Sequence, residues 1–416
     1  MHHACGLDFG TSNSTFGIAT AGRPRLLPLE DGKTTLPSVV FFNADENHTC
    51  FGRQALAEYL EGYEGRLMRA LKSVLGTSLI DGRTEVHGHA LPFRELLAEF
   101  IGELKARGEE AAGQSFEQAV LGRPVHFVDD DPVADRQAQD TLEEIARAVG
   151  FRHVEFQFEP IAAAFNYEAA IAGEELVLVV DIGGGTSDFS LVRLSPERAH
   201  HTDRRSDILA NAGVHIGGTD FDRALNLAAV MPLLGFKSLL ANGAEVPSGI
   251  YFNLATWHTI NSVYARGVLP GLQDTFRNAR EKDKIERLIR LINLRAGHWL
   301  ALQVEEAKIA LSSVTETRLD LRHLEQDLCP ALTREDFSQA IEPLVQKIES
   351  TLDELMLQAN IRSTEVDTVF FTGGACSVPL LRTRLAAHMP QARHVEGDLF
   401  GSIGMGLALD AGRKFQ

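Results

Sequence analysis

Leu176-Val177-Leu178-Val179-Val180-Asp181-Ile182-Gly183-Gly184-Gly185-Thr186-Ser187-Asp188 is the stretch on which the fold turns. Consecutive aliphatic residues form a buried-type strand, an aspartate stands near its end, and three glycines precede a second strand over 189–194. Three glycines in a row cost more backbone entropy than a structural turn requires, but they let backbone N–H groups approach an anion closely. The N-terminus repeats the design: a strand over 4–9 ends in Asp8-Phe9, Gly10-Thr11-Ser12-Asn13 make a turn, and residues 15–19 return. A short turn between strand-like runs predicts a hairpin. Two such units, with Asp8 and Asp181 in equivalent places, predict a duplicated, two-lobed α/β architecture.

Outward from these units the chain alternates. Residues 36–42 read as a strand entered through Pro37, and 54–110 as mainly helical. A strand near 120–125 leads into the acidic loop Asp129-Asp130-Asp131-Pro132, after which Asp135 is placed to cap a helix that Gly150 ends. Residues 154–158 are strand-like, and Pro160 opens an alanine-rich helix over 161–172. The pattern over 225–300 mixes helix and loop signals. Helical spacing returns at 300–313 and 335–359, a buried-type strand at 366–372 runs into Gly373-Gly374, and 400–411 is a Gly/Ala-rich helix.

The 416 residues allow two to four domains at roughly 100–200 residues each. Hydrophobic residues at 44% and charged residues at 23% are globular values, which excludes overall disorder. No apolar run reaches the roughly 18–20 residues of a membrane span, and no signal-peptide pattern is visible, so no membrane partner is expected. The net charge of −17, from 40 basic and 57 acidic residues, argues against wide nucleic-acid contact. Cys5, Cys50, Cys329 and Cys376 form no Cys-x-x-Cys pair, so their spacing indicates neither a zinc site nor a disulfide framework. A cytoplasmic home is the expectation.

Each chemical element has a plain structural explanation in isolation: a polar hairpin turn at 10–13, a flexible loop at 183–185, a helix-entry turn at Gly373-Gly374, a dipole-favoured glutamate at Glu159-Pro160. Together they point to phosphate chemistry. Glycine turns present amides and hydroxyls, strand-end aspartates hold a hydrated Mg²⁺, and a strand-end glutamate orients water.

In order and content these segments resemble the actin, sugar-kinase and heat-shock ATPase superfamily, and within it the nucleotide-binding domain of DnaK-type heat-shock chaperones. The stretches that carry the resemblance are 6–14, 159–164, 180–188, His215-Ile216-Gly217-Gly218-Thr219-Asp220-Phe221-Asp222, 305–313 and Thr372-Gly373-Gly374. The resemblance implies a two-lobed actin-like ATPase fold with duplicated ribonuclease-H-like lobes. Lobe I would take 1–171 and 395–416, with a subdomain inserted at about 40–112. Lobe II would take 172–394, with one inserted at about 223–333. It implies ATP or ADP with Mg²⁺ as ligands. Asp8 and Asp181 would hold the metal through water. Thr11, Ser12, Asn13, Gly183, Gly184, Gly185 and Asp188 would surround the phosphates. Lys72, Glu159, Asp181 and Thr186 would act in hydrolysis, and Gly218, Glu305, Lys308, Ser312, Gly374, Ser377 and Asp398 would line the ribose and base. Pro124 and Arg136 resemble the pair that relays nucleotide state, here with extra residues between them.

The resemblance further implies a slow ATPase acting as a monomeric, nucleotide-driven switch that meets a co-chaperone or client protein. With the sequence ending at Gln416, the family's usual peptide-binding domain is not expected on this reading. Trp257, His258, Tyr264 and Trp299 would form either a partner surface or the core of a divergent subdomain. Three alternatives stay open: a small-molecule kinase of the same fold, an actin-like filament protein, and a pseudo-ATPase that binds nucleotide without turnover.

Two departures bear on affinity. Ile309 and Ser377 stand where the family has arginines that sandwich adenine. A cation on a π-face contributes about 0.5–2 kcal/mol, so losing both weakens ATP on the order of tenfold or more. Calorimetry should find Mg²⁺-dependent ATP binding that is retained but weakened; no such affinity below millimolar overturns this reading.

Overall fold

A computed structural model describes residues 4–128, 131–201, 204–257, 259–398 and 401–415. Asp129 and Asp130 of the acidic loop, Leu399 and Phe400 beside Asp398, and His258 lie outside the described residues. The chain divides into two compact units, one of residues 1–217, 348–376 and 381–416, the other of residues 218–347 and 377–380.

The first unit holds two sheets built to one plan. In the first sheet, strand Ala4–Asp8 pairs antiparallel with Asn13–Thr20 and parallel with Gln118–Arg123, which pairs parallel with His153–Phe158. In the second, strand Glu175–Ile182 pairs antiparallel with Ser187–Leu194 and parallel with Thr368–Thr372, which pairs parallel with Arg393–Glu396. The duplication predicted from the two strand–turn–strand units is therefore a duplication of sheet order. Strand Val177–Ile182 is buried almost throughout, as a central strand covered on both faces must be.

Two helices lie between the sheets. Helix Ser402–Lys414 packs on the first sheet, helix Glu159–Glu168 on the second, and the two pack on each other. Small residues set their approach. A Cβ on Gly406 would fall 1.8 Å from the carbonyl oxygen of Ala162, and one on Gly6 would fall 2.2 Å from the backbone nitrogen of Ala408. The Gly/Ala-rich composition of both helices is thus a packing requirement. The core beside them includes Phe165, Val177, Val179, Val192 and Phe370.

Local readings differ from the structure at four places. Residues 54–110 are not one helical region: helices Gly52–Glu61 and Phe93–Ala112 flank strands Gly65–Arg69, Arg83–Val86 and His89–Pro92. The intervening strands are short and partly exposed, so their alternation is weak in sequence. The run 36–42 breaks at Ser38, with Thr35–Pro37 joined to the first sheet and Val39–Asn43 to a separate three-stranded sheet. Asp131, not Asp135, caps helix Pro132–Ala148, accepting from the N–H groups of Val133 and Ala134. Finally, helix Glu159–Glu168 begins before Pro160 and ends earlier than the alanine pattern suggests.

The second unit is mainly helical over the stretch whose pattern was mixed, with helices Gly249–Ala255, Val268–Asn278, Lys282–Asn293 and Gly297–Ser313. Short 3₁₀ and π segments before and between them blur the periodicity. Tyr264 accepts a hydrogen bond from the Gly297 N–H at 2.9 Å, and Trp299 lies against His323 with ring centroids 5.0 Å apart. Trp257, Tyr264 and Trp299 are all half-buried. Among the described residues no helix is long and apolar enough to cross a membrane.

The interhelical contact yields a direct test. Gly406→Ala should lower stability by about 1–3 kcal/mol or more, because its new methyl meets backbone that cannot rotate away. Gly173→Ala, with open space around it, should stay within about 0.5 kcal/mol. Urea midpoints of the two variants measure the contrast, and equal midpoints would remove the close approach as a constraint.

Candidate functional site

The first turn owes its shape to Gly10, where a Cβ would lie 2.1 Å from the Asn13 carbonyl oxygen. Ser38, at the break between two strands, holds the turn from behind. Its hydroxyl donates to the Gly10 carbonyl at 2.6 Å, and its N–H donates to the Ser12 carbonyl at 2.9 Å. Thr11 and Asn13 are half-buried and Ser12 is exposed, which leaves their polar groups at the rim.

The second turn meets the first. Gly183 donates its N–H to the Thr186 carbonyl at 3.0 Å, closing the glycine loop. A Cβ on Gly184 would fall 2.3 Å from Ser12 Oγ, and one on Gly185 would fall 3.4 Å from Thr11 Oγ1 and 3.6 Å from Ser73 Oγ. Behind this loop, a Cβ on Gly217 would strike Gly184 and Gly185 backbone at 2.6 Å. Glycine is thus demanded at 217 by the loop's own backbone, while at 184 a side chain would displace the facing Ser12 hydroxyl.

Beneath the turns lies a cluster of buried charge. Asp8 ends one central strand, and Asp181 stands near the end of the other, directly opposite Asp188 in the antiparallel pair. Glu159 opens its helix, and Lys72 sits in the 3₁₀ segment Leu71–Val74. All five are buried, and Lys72 Nζ donates to Glu159 Oε1. Ala70, two residues earlier, takes a left-handed conformation with φ 51°. A non-glycine residue there stores strain of roughly 1–3 kcal/mol, a cost typically found where surrounding structure dictates a functional geometry.

The electrostatics follow from one ammonium among four carboxylates. Burial, and then the charge of Glu159, push the Asp8 carboxyl up to about 7 against the pull of Lys72. Burial likewise carries Asp188 up to about 7, although Thr186 hydrogen-bonds to it. Asp181 is raised well above the carboxylate range by burial, Glu159, Asp188 and Asp8 together. Burial alone would lower the Lys72 ammonium, but Glu159 and Asp8 reverse the sign and raise it. Strongly perturbed groups gathered at one place mark a functional site. Their uncompensated negative charge and all-oxygen donors suit a hard divalent cation such as Mg²⁺. The paired turns above, one of which cannot carry a Cβ, suit a phosphate chain.

The structure thus brings Asp8, Thr11, Ser12, Asn13, Lys72, Glu159, Asp181, Gly183, Gly184, Gly185, Thr186 and Asp188 together in the first unit. Gly374 and Asp398 also belong to that unit, Gly374 in the 3₁₀ turn Gly374–Ser377. Its neighbour Gly373 has a positive φ of 81°, and a Cβ there would lie 2.6 Å from Asp181 Oδ1. Asp398 accepts at its carbonyl from the Ser402 hydroxyl at 2.6 Å, at the start of the last helix.

Gly218, Glu305, Lys308, Ser312 and Ser377 belong to the second unit. Lys308 Nζ pairs with Asp222 at 2.9 Å and donates to the Gly218 carbonyl at 3.3 Å. Ser312 Oγ donates to the Lys308 carbonyl at 3.4 Å, and Glu305 is half-buried on the same helix. Ile309 is 59% exposed, and Ser377 is exposed too.

Several contributors carry no role in the sequence reading. Ser38 and Ser73 act through contacts distant in sequence. His215 has its Nε2 3.1 Å from the Phe127 carbonyl oxygen and helps hold down the Asp188 carboxyl. Arg123, rather than the exposed Arg136, is the fixed arginine beside Pro124. Its guanidinium donates to Asp135 at 2.8 Å and lies over the Phe127 and Phe158 rings. The one available signal is the His215-Ile216-Gly217-Gly218 run itself.

Raised carboxyls make stability depend on pH. Between about 4 and about 7 the folded state keeps protons that the unfolded chain has released, so stability falls as pH rises through that window. In EDTA the urea midpoint should fall from pH 5 to pH 8, less steeply for Asp188→Asn. Mg²⁺ should restore stability at pH 8. An unchanged slope in the variant would detach Asp188 from the effect.

Comparison with known proteins bears on this arrangement. A family model described as "Hsp70 protein" matches residues 4–230 and 274–412. The "Chaperone protein DnaK" of Thermus thermophilus is 24% identical over 440 aligned residues, covering 99% of this chain and 61% of that protein. The DnaK of Thermoplasma volcanium is 26% identical over 388 residues, covering 92% of this chain and 53% of its own. The chain therefore spans between about half and three-fifths of the length of these relatives. The two sheets of like order are the halves of an actin-like α/β fold, and the chain belongs to the Hsp70 family.

Proposed function

We propose that this chain binds ATP or ADP with Mg²⁺ and hydrolyses ATP slowly, as a chaperone-class nucleotide switch. One observation carries the reading. Two glycine turns from duplicated sheets face each other at Ser12 and Gly184, over a buried Lys72–Glu159 pair and three aspartates. Family membership supports it, and so do relatives named as chaperones.

The residues divide the work by chemistry. Amides of 11–13 and 183–186, with the hydroxyls of Thr11 and Ser12, bind phosphate oxygens. Asp8 and Asp181 hold the metal through water, and Mg²⁺ when bound offsets phosphate charge. Lys72 stays protonated in this acidic setting and offers its ammonium to the terminal phosphate. Glu159, held by Lys72, accepts a hydrogen bond from the attacking water, and the Thr186 hydroxyl helps orient it. Gly218, Glu305, Lys308, Ser312, Gly374, Ser377 and Asp398 line the nucleoside. In this proposal lobe I is 1–171 with 395–416 and lobe II is 172–394, and their relative movement reports nucleotide state to a co-chaperone or client. The free cysteines fit a cytoplasmic setting.

Phosphate release from ATP tests the reading. Wild type should turn over without an added acceptor. Lys72→Ala and Glu159→Gln should each lose about 10²-fold or more, the scale for losing one preorganised electrostatic group. Equal rates remove Lys72 from the mechanism. Release that requires a sugar moves the reading to a kinase, and ATP-dependent polymers move it to a filament protein.

A further inference from the structure

The small three-stranded sheet of the first unit carries a second constellation with different chemistry. Strand His48–Phe51 pairs with Val39–Asn43 and runs directly into helix Gly52–Glu61. Alternation along a strand places His48 and Cys50 on one face, and the helix returns Glu58 over them. A ring nitrogen of His48, Sγ of Cys50 and a carboxylate oxygen of Glu58 all lie within 4.8 Å of one another.

The carboxylate is oriented from behind. Asn43, fully buried, donates from Nδ2 to Glu58 Oε2 at 2.8 Å and is itself fixed by the Glu46 N–H, which donates to its Oδ1 at 2.9 Å. Gln54 donates to the other oxygen at 2.9 Å. His48 Nε2 is 2.9 Å from Oε2, with its side chain 41% exposed, so the cluster opens to solvent on the imidazole side.

We propose that His48, Cys50 and Glu58 bind a zinc-class divalent ion, which ties strand His48–Phe51 to helix Gly52–Glu61. Nitrogen, sulfur and oxygen donors together favour a borderline ion over Mg²⁺, which prefers oxygen alone. Three protein ligands leave a fourth tetrahedral position for water. Bonds of about 2.0–2.3 Å place tetrahedral donors roughly 3.3–3.8 Å apart, a contraction the exposed imidazole can supply by rotation. Binding releases the Cys50 thiol proton to solvent, and the Nε2 proton of a neutral His48 moves to Nδ1. Asn43 and Gln54 then act as outer partners that keep the carboxylate aimed.

The test uses the full chain, stripped with chelator and held in excess Mg²⁺ so that the aspartate cluster does not compete. Zn²⁺ titrated against a chromophoric chelator should bind at one equivalent. Co²⁺ should give tetrahedral visible bands and a near-ultraviolet thiolate band. His48→Ala should weaken binding at least about tenfold, the lower scale for losing even an outer partner, while the metal-free unfolding midpoint falls only by the small amount expected for losing one exposed pair. Cys50→Ser should remove the thiolate band, whereas Cys329→Ser should keep it. The proposal is overturned by no stoichiometric Zn²⁺ binding, by an octahedral Co²⁺ spectrum without thiolate, or by full affinity in His48→Ala. That last variant changes an exposed residue, so it decides the matter even if Cys50→Ser fails to fold.

Discussion

Four carboxylates are buried around a single ammonium, and the organisation of the first unit follows from that imbalance. Asp8, Glu159, Asp181 and Asp188 surround Lys72, and burial with their mutual repulsion raises all three aspartate carboxyls above the ordinary range. Asp181 even faces Asp188 across an antiparallel pair, an arrangement that destabilises a sheet when both are charged. A chain selected for stability alone would place an apolar pair there. The strain is tolerable because it is local, and under the proposed function a divalent ion would convert the repulsion into binding.

Holding those groups in place demands a rigid frame at close quarters. Each sheet delivers one aspartate from its central strand and one glycine turn from its hairpin. Helices Glu159–Glu168 and Ser402–Lys414 fill the layer between the sheets, and their separation is set by backbone touching backbone at Gly406 and Ala162. Glu159 lies at the start of one of these helices, so the position of its buried carboxylate is tied to interhelical packing. Glycine recurs at 6, 217 and 406 for one reason: at each, a methyl would overlap backbone that cannot move aside.

The second unit shows a different economy. Lys308 is engaged by Asp222 and the Gly218 carbonyl. Beside it Ile309 is exposed and presents an apolar side chain where a guanidinium would present a charged one. The His48, Cys50 and Glu58 cluster extends the contrast, since a mixed soft and hard donor set selects against the ion that the aspartates favour.

Much of this was legible in the chain. The hairpins at 4–19 and 176–194, their aspartates and the glycine loop follow from residues close in sequence, because a strand end and its turn are local features. Lys72 was placed by resemblance alone, since nothing in its own neighbourhood distinguishes it from a solvated lysine. The strands within 62–92 were missed because short, half-exposed strands leave no clear alternation. Asp135 was misread as a cap because an acid near a helix start serves equally well as an arginine's partner, and only the position of Arg123 decides. The sequence by itself determined the duplicated strand–turn–strand units and the glycine, hydroxyl and aspartate residues at their turns. Tertiary structure alone decided that Ser12 faces Gly184, that Ser38 braces the first turn, that Gly373 makes room for Asp181, and that Glu58 reaches His48 and Cys50. Those pairs join different elements, and their distances depend on how sheets and helices pack rather than on any spacing along the chain.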